Sequence, residues 1–124
     1  MAEPPYYEIS VEDGIVRVRR TARAFDSADV ARAQYQALIA RLRSLAPRRL
    51  LSDLRGAPPA RNDPEFERAG DELRSGIKAL GARTAFLVRS AVGVLQVNRL
   101  AREIGAEVHV FRDEREALAY LREK

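Results

Sequence analysis

The chain has 124 residues, of which 46% are hydrophobic and 32% charged, so it is long enough to bury the core of one globular domain and too apolar to be generally disordered. It contains no cysteine, which excludes a disulfide scaffold, a cysteine-ligated zinc site and catalysis by a thiol. The formal net charge of +4 would suit a nucleic-acid partner. However, acidic residues are interleaved with the arginines, and only 6% of residues are aromatic. Solvated arginines encoded by a GC-rich genome therefore explain the charge better.

The first predicted element is a β-hairpin. Residues 1–5 are expected to fray, and apolar and polar side chains alternate over Tyr6–Glu12 and again over Ile15–Arg20. The intervening dipeptide, Asp13-Gly14, is typical of a two-residue hairpin turn. Such a turn pairs residues whose numbers add to 27, the sum of 13 and 14, and places four apolar residues on the core face: Ile9, Val11, Val16 and Val18.

Helices and strands alternate through the rest of the chain. The first helix is capped by Asp26 or Ser27 and stops before Pro47, and the second begins at Asp63-Pro64. The three strands are Arg49–Leu54, Thr84–Val88 and Glu107–Phe111, and the last two helices are Val92–Ile104, with Gly105 just past its end, and Glu114–Glu123. Helical crossovers predict parallel strands, so we expect one α/β domain with a mostly parallel sheet of about five strands, the N-terminal hairpin and four helices.

Two stretches resemble the SpoIIAA-like fold, which STAS domains share and to which the lipid-binding SEC14 domain is related. The first is Leu50–Gly56 (LLSDLRG), a strand with an aspartate near its carboxyl end, followed by a loop and a helix. The second is Val110–Leu121 (VFRDEREALAYL), which is similar to the closing strand and capped helix of small bacterial STAS/SEC14-like proteins. The order of elements fits this fold over nearly the whole chain, and an ordinary flavodoxin-like sheet is the alternative.

This resemblance implies a non-catalytic regulatory module that binds a protein partner. STAS proteins of the anti-sigma-antagonist type are similar to one another in a serine- or threonine-containing turn at the start of the second helix, where phosphorylation breaks binding. The corresponding residues 60–64 here read ARNDP and have no hydroxyl, so we do not expect that switch. The SEC14 relationship implies the alternative, a carrier of a small ligand or lipid. Such a carrier needs a cavity of several hundred Å³, for which this short chain has little room.

The loop Arg55–Asp63 and the helix tip after it form the predicted partner site. This loop is the longest in the chain and leaves the carboxyl end of a strand, the edge at which α/β sheets generally bind ligands. The helix Val92–Ile104 has more apolar residues than one core stripe uses, which indicates either an exposed patch or a widely buried face. The candidate contact residues are Asp53, Arg55, Arg61, Asn62, Asp63, Val94 and Leu95. The alternative to a partner site is a loop that only connects two elements. In that case Asp53 only caps the loop by accepting hydrogen bonds from its backbone N–H groups.

No catalytic constellation is apparent in the sequence. His109 is the only histidine and is expected to be a sheet-surface or core residue, and the chain lacks the companions that a metal site would need. No glycine-rich phosphate loop is present, no apolar run approaches the ~18 residues of a membrane helix, and the N-terminus is unlike a signal peptide. We therefore expect a cytoplasmic protein without enzymatic activity, cofactor or metal, whose partner is another protein or a second copy of this chain.

Overall fold

The computed structural model describes residues 4–59, 61, 63–104 and 108–123 of the chain. Over these residues the strands are β1 (Tyr7–Glu12), β2 (Ile15–Arg20), β3 (Arg49–Asp53), β4 (Arg83–Leu87) and β5 (Val108–Phe111). The helices are α1 (Ala28–Leu45), α2 (Pro64–Leu80), α3 (Ala91–Ile104) and α4 (Glu114–Arg122). The predicted α/β fold, with its mostly parallel five-stranded sheet, hairpin and four helices, is confirmed. Two predicted boundary residues, Gly105 and Glu107, lie outside the described part of the chain.

The strands lie side by side in the order in which they occur along the chain. β1 pairs antiparallel with β2, and β2, β3, β4 and β5 form parallel pairs. Because each right-handed crossover advances in the same direction, α1, α2 and α3 all lie on one face of the sheet. The other face is covered by α4, which contacts β3, β4 and β5. The order differs from a flavodoxin-like sheet, in which a reversal of strand order places helices on both faces.

The apolar residues form a large core on the three-helix face and a smaller core under α4. The larger core is built around Val16, Val18, Leu38, Leu42, Leu50, Ile77 and Phe86. The smaller core contains Ile15, Leu51, Ala85, Leu87, Ala117 and Leu121. The sheet therefore buries both of its faces, but unequally, because α4 alone covers one face and contacts mainly β3, β4 and β5.

Short polar side chains fix the starts of the helices. Ser27 caps α1, Asp63 caps α2 and Asp113 caps α4, each through a side-chain oxygen that accepts backbone N–H groups of the first turn. Ser90 acts in the same way before α3, where its hydroxyl accepts the N–H of Gly93 at 3.1 Å. All four of these caps agree with the prediction from the sequence.

The first residues that the structure describes, Pro4 and Pro5, form hydrogen bonds to the segment after β2, and the fraying predicted for residues 1–5 stays a prediction. The carbonyl of Pro5 accepts a hydrogen bond from the hydroxyl of Thr21 at 2.6 Å, and the carbonyl of Pro4 accepts one from Arg23 at 3.1 Å. The segment before β1 is thus fastened to the segment that follows β2. Residues 1–3 lie outside the described part of the chain.

The hairpin has the predicted register, with Val11 opposite Val16 and Ile9 opposite Val18. The prediction that Val11 is a core residue is wrong, because its side chain remains 59% exposed beside the turn, on the edge strand. Leu45 follows the buried Leu38 and Leu42 at helical spacing, which predicts an inward position, but it is likewise 39% exposed because it is the last residue of the helix. In both cases the residue has the predicted periodicity, but it lies at the end of a strand or helix, where no neighbouring element of the described chain covers its side chain.

The turn gives a direct test of the hairpin. Asp13 and Gly14 both have positive φ, +52° and +76°, as a type I′ turn requires. A Cβ atom at Gly14 would meet no atom within 4 Å, so only the backbone conformation opposes a side chain there. We expect Gly14→Val to lower the free energy of unfolding by about 1 kcal/mol or more, since a β-branched residue resists positive φ. Urea unfolding measures the change, and Gly14→Asn, which tolerates this conformation better, should cost less; equal values for both would contradict the turn assignment.

Candidate functional site

Asp53, the last residue of β3, lies at the centre of a charged cluster on the α4 face. Its side chain is nearly inaccessible, and the whole residue is 2% exposed. One carboxylate oxygen accepts the backbone N–H and the Nε–H of Arg55, at 3.1 and 3.0 Å, and the other accepts from Nη2 of Arg55 at 2.8 Å. Nη2 of Arg17 lies 3.6 Å from the second oxygen. Asp53 therefore turns the chain back on itself at the start of the loop and holds two arginines together.

Glu114, the first residue of α4, completes the cluster from the other side. Its carboxylate accepts hydrogen bonds from Arg17 and, at 3.0 Å, from Nη2 of Arg55. Two guanidinium groups are thus shared between two carboxylates, a bidentate pairing that favours arginine over lysine. The cluster joins β2, β3 and the N-terminus of α4.

The electrostatics of the cluster keep both carboxyl groups ionised. Burial on its own raises the pKa of Asp53, but the hydrogen bonds and positive charge of Arg55, together with the charge of Arg17, hold that pKa below its usual value. The hydrogen bond from Arg17 is the main cause of a lowered pKa at Glu114. Carboxylates tied to arginines in this way are suited to holding structure together rather than to exchanging protons with a substrate.

These contacts change the roles predicted for Asp53 and Arg55. Asp53 is too deeply buried to touch a partner, and its bonds to the next turn of chain support the alternative in which it caps the loop. Arg55 is partly exposed but is bound to Asp53 and Glu114. Both residues therefore position the loop, and a substitution of Arg55 would report on stability before it reported on binding.

Arg61 and Asp63 lie toward the three-helix face. Nη1 of Arg61 donates to the carbonyl of Phe25 at 3.1 Å, and its guanidinium lies 4.3 Å from the ring centre of Phe66. Asp63 caps α2 by accepting the N–H of the second residue of that helix at 2.9 Å. Asn62 lies outside the described residues. The structure therefore divides the predicted loop between the two faces of the sheet instead of bringing all its side chains together.

An apolar patch on α3 is confirmed, with a partial correction of its members. Leu95 is 73% exposed and Val92 is 62% exposed, whereas Val94 is half-buried. Val97 turns inward and packs against the larger core. Because α2 and α3 contact each other and both begin at the carboxyl edge of the sheet, the exposed pair on α3 and the tip of α2 lie at the same edge of the molecule.

His109 lies on the sheet face that α4 covers and remains exposed. Its ring packs on Tyr120 of α4, with 4.6 Å between ring centres. This confirms the expectation of a sheet-surface histidine and gives it a packing partner.

A cleft at the carboxyl ends of β2 and β3, between α1 and α2, was not expected from the sequence. Its wide outer part has a volume of about 730 Å³, and a deeper, more enclosed chamber has a volume of about 190 Å³. Residues 57–59 of the predicted loop form part of the outer wall. Seven residues line both parts: Tyr7, Arg20, Tyr35, Leu54, Gly70, Leu73 and Arg74. The expectation that so short a chain has little room for a cavity is therefore wrong for the outer cleft.

Arg20 is the cleft residue that the sequence analysis missed. The available signal was its position, because Val16, Val18 and Arg20 alternate along β2 and the two valines face the larger core. A charged side chain that follows two core valines at the same spacing must also point toward the three-helix face. Arg20 is in fact 5% exposed.

Comparisons with known proteins give a match in structure but not in sequence. No family model matches the chain, and no curated protein matches it. The chain is similar to the crystal structure of a "putative anti-sigma factor antagonist" from Thermotoga maritima, with a TM-score of 0.67 and 13% identity over 94% of this chain and 95% of that one. It is also similar to an uncharacterized DUF3478-family protein with a SpoIIAA-like fold from Shewanella loihica PV-4, with a TM-score of 0.62 and 15% identity over 98% of each chain.

Identities of 13% and 15% establish a shared fold and leave function to be argued from the site. None of the helices within the described residues is both long enough and apolar enough to cross a bilayer. The element order, the unreversed strand order and the structural neighbours agree, and they show that this chain has the SpoIIAA-like fold.

Proposed function

We propose that the chain is a non-catalytic, cytoplasmic regulatory module that binds a protein partner through the tip of α2 and the outer face of α3. The observation that carries the proposal is the exposed pair on α3, where Leu95 and Val92 are 73% and 62% accessible. The anti-sigma-antagonist role suggested for the Thermotoga maritima protein of the same fold supports it by analogy. Residues 60–64 offer no hydroxyl, so binding would not be switched by phosphorylation of that turn.

The geometry of α3 suits a helix-face contact. Residues three apart lie on the same side of a helix, so the side chains of Val92 and Leu95 form one apolar surface. Full burial of each would contribute about 1.5–3 kcal/mol, which is enough to make them the centre of a modest interface. The partner expected is therefore one that presents apolar side chains to this helix, with polar contacts to the α2 tip around Asp63 at the rim.

We expect Leu95→Lys to weaken partner binding about tenfold or more, because it replaces the most exposed apolar side chain of the patch with a charge that the interface must desolvate. A partner captured by the immobilised chain would be purified and its Kd measured by calorimetry. Val11→Lys is the matched control, since Val11 is also an exposed apolar residue, 59% accessible, but belongs to the hairpin. Equal loss in both variants, or none in Leu95→Lys, would contradict the proposed surface.

A second copy of this chain is the other protein that could cover α3. Analytical ultracentrifugation over a range of concentrations distinguishes the two cases. If α3 is a homodimer interface, the wild-type chain would sediment as a dimer and Leu95→Lys as a monomer. A wild-type chain that is a monomer and binds its captured partner supports the proposal of a different protein.

The cavity supports the lipid-carrier alternative less well than the exposed face of α3 supports a protein partner. The more enclosed chamber, of about 190 Å³, has the volume of roughly six water molecules, which is too small for a lipid tail. The outer cleft is large enough, but it is wide and open to solvent. A smaller ligand fits these dimensions, and the residues between cleft and chamber indicate its chemistry.

A further inference from the structure

The cleft contains a buried cation that has no partner of opposite charge among the described residues. Arg20 is 5% exposed, and its Nη1 donates to the backbone carbonyls of Tyr6 and Thr21, at 3.2 and 2.8 Å. Its guanidinium also lies 4.3 Å from the ring centre of Phe25. No carboxylate of the described residues forms an ion pair with it. Taking a charge out of water is unfavourable unless an opposite charge or several hydrogen bonds compensate, so the neutral contacts of Arg20 leave it suited to an anion that is supplied from outside.

Arg20 lies where such an anion could reach it. It lines both the solvent-open cleft and the deeper chamber, at the junction between them. The chamber wall is otherwise mostly apolar and includes Leu54, Leu73 and Phe86. The two charged residues on that wall are Arg20 and Arg74, and no acidic residue of the described chain lines the chamber. Arg74 is paired with Asp71, so Arg20 provides the uncompensated charge.

Two tyrosines add hydrogen-bond donors at the same junction. Tyr7 and Tyr35 line both parts of the cavity, and neither hydroxyl forms a hydrogen bond with another described residue. Burial raises the pKa of both phenols, an effect that the charge of Arg20 reduces but does not cancel. Both hydroxyls therefore stay protonated at neutral pH and can donate to an anion.

We propose that this cavity binds a small organic monoanion, a carboxylate with an apolar body, whose charged group sits at Arg20 and whose body fills the chamber. Among the described residues, Arg20 is the one uncompensated arginine on the chamber wall, and it selects a single negative charge. A chamber of about 190 Å³ accepts a body of roughly six non-hydrogen atoms, at the ~30 Å³ that a water molecule occupies in the liquid. On the wall of the outer cleft, Glu67 and Asp71 offset the positive charge of Arg61, which disfavours a more highly charged anion such as a nucleotide. The site lies apart from the exposed face of α3 and does not depend on the proposed protein partner.

Hexanoate is the probe that matches these dimensions, and it is tested on the full chain by calorimetry and by the shift in Tm. We expect hexanoate to bind about ten- to hundredfold more tightly than hexan-1-ol, which lacks the charge, since a hydrogen bond to a charged group is worth about 1.5–3 kcal/mol. Acetate, which lacks the apolar body, should also bind more weakly. Tighter binding of inorganic phosphate than of hexanoate, or equal binding of hexanoate and hexan-1-ol, would overturn the proposal.

Substitutions then locate the site. Arg20→Gln should reduce hexanoate affinity about tenfold or more while Arg20→Lys retains part of it, and Arg68→Gln, on the exposed side of α2, should have no effect. If Arg20→Gln does not fold, Tyr35→Phe removes one donor with little change of shape and should weaken hexanoate several-fold. Unchanged affinity in Tyr35→Phe and in every folded Arg20 variant would overturn the assignment. Leu95→Lys should leave hexanoate binding intact, so this site and the proposed protein interface can fail separately.

Discussion

Replacing Asp53 with alanine is expected to lower the free energy of unfolding at pH 7 by about 2–3 kcal/mol. The substitution leaves Arg17 and Arg55 with Glu114 alone and frees the backbone N–H of Arg55. Breaking a fully buried ion pair costs about 3–5 kcal/mol, and the cost here is smaller because both arginine side chains are partly exposed, 29% and 41%. Urea unfolding measures the change.

Asp53→Asn is the matched control for this substitution. Asparagine keeps an oxygen that can accept the backbone N–H of Arg55, but it removes the charge, so we expect a smaller loss than with alanine. Equal destabilisation in both variants would mean that the charge dominates and the backbone contact contributes little. A loss below about 0.5 kcal/mol in Asp53→Ala would show that the cluster does not stabilise the fold.

The same cluster makes the free energy of unfolding depend on pH. The pKa of Asp53 is lower in the folded chain than the usual value of about 3.9, so the cluster contributes fully above about pH 5. Its contribution is lost as the pH falls from the usual value to the lower folded value, because in that range the unfolded state takes up a proton that the folded state binds less readily. The stability difference between wild type and Asp53→Ala should therefore shrink below about pH 4; a difference that stays constant at low pH would contradict this assignment.

The parts of the fold that follow from local rules were predictable. The hairpin register needs only the turn dipeptide and the alternation on either side, and the caps need only a serine or aspartate before an apolar helical stripe. The exposure of Val11 could not be read in this way, because alternation assigns a face but does not say how far a helix extends over it. The excess of apolar residues on α3 indicated either an exposed patch or a widely buried face, and the structure shows the patch, since Leu95 is the most exposed large apolar residue of the described chain.

The candidate sites depend on contacts between distant parts of the chain, which no local pattern contains. Arg17 and Arg55 reach Glu114 across 97 and 59 residues of sequence. That meeting requires α4 to lie on the opposite face from the other three helices, which follows from the strand order and not from the spacing of charges. Arg20 differs, since its place in the alternation of β2 marks it as inward-facing. That no acidic residue of the described chain pairs with it is visible only in the structure.

Leu121→Ala is expected to have the largest effect on stability, a loss of about 2–5 kcal/mol, because Leu121 is completely buried between α4 and the sheet. Leu118→Ala, on the same helix but only partly buried, is the control and should cost less. The cleft and chamber that contain Arg20 lie on the opposite face of the sheet, so the folded Leu121→Ala chain should bind hexanoate with unchanged affinity. Urea unfolding and hexanoate calorimetry on the same samples measure both quantities. If affinity fell together with stability, the two faces would be coupled through the strands, and the cavity would have to be treated as part of one cooperative unit with α4.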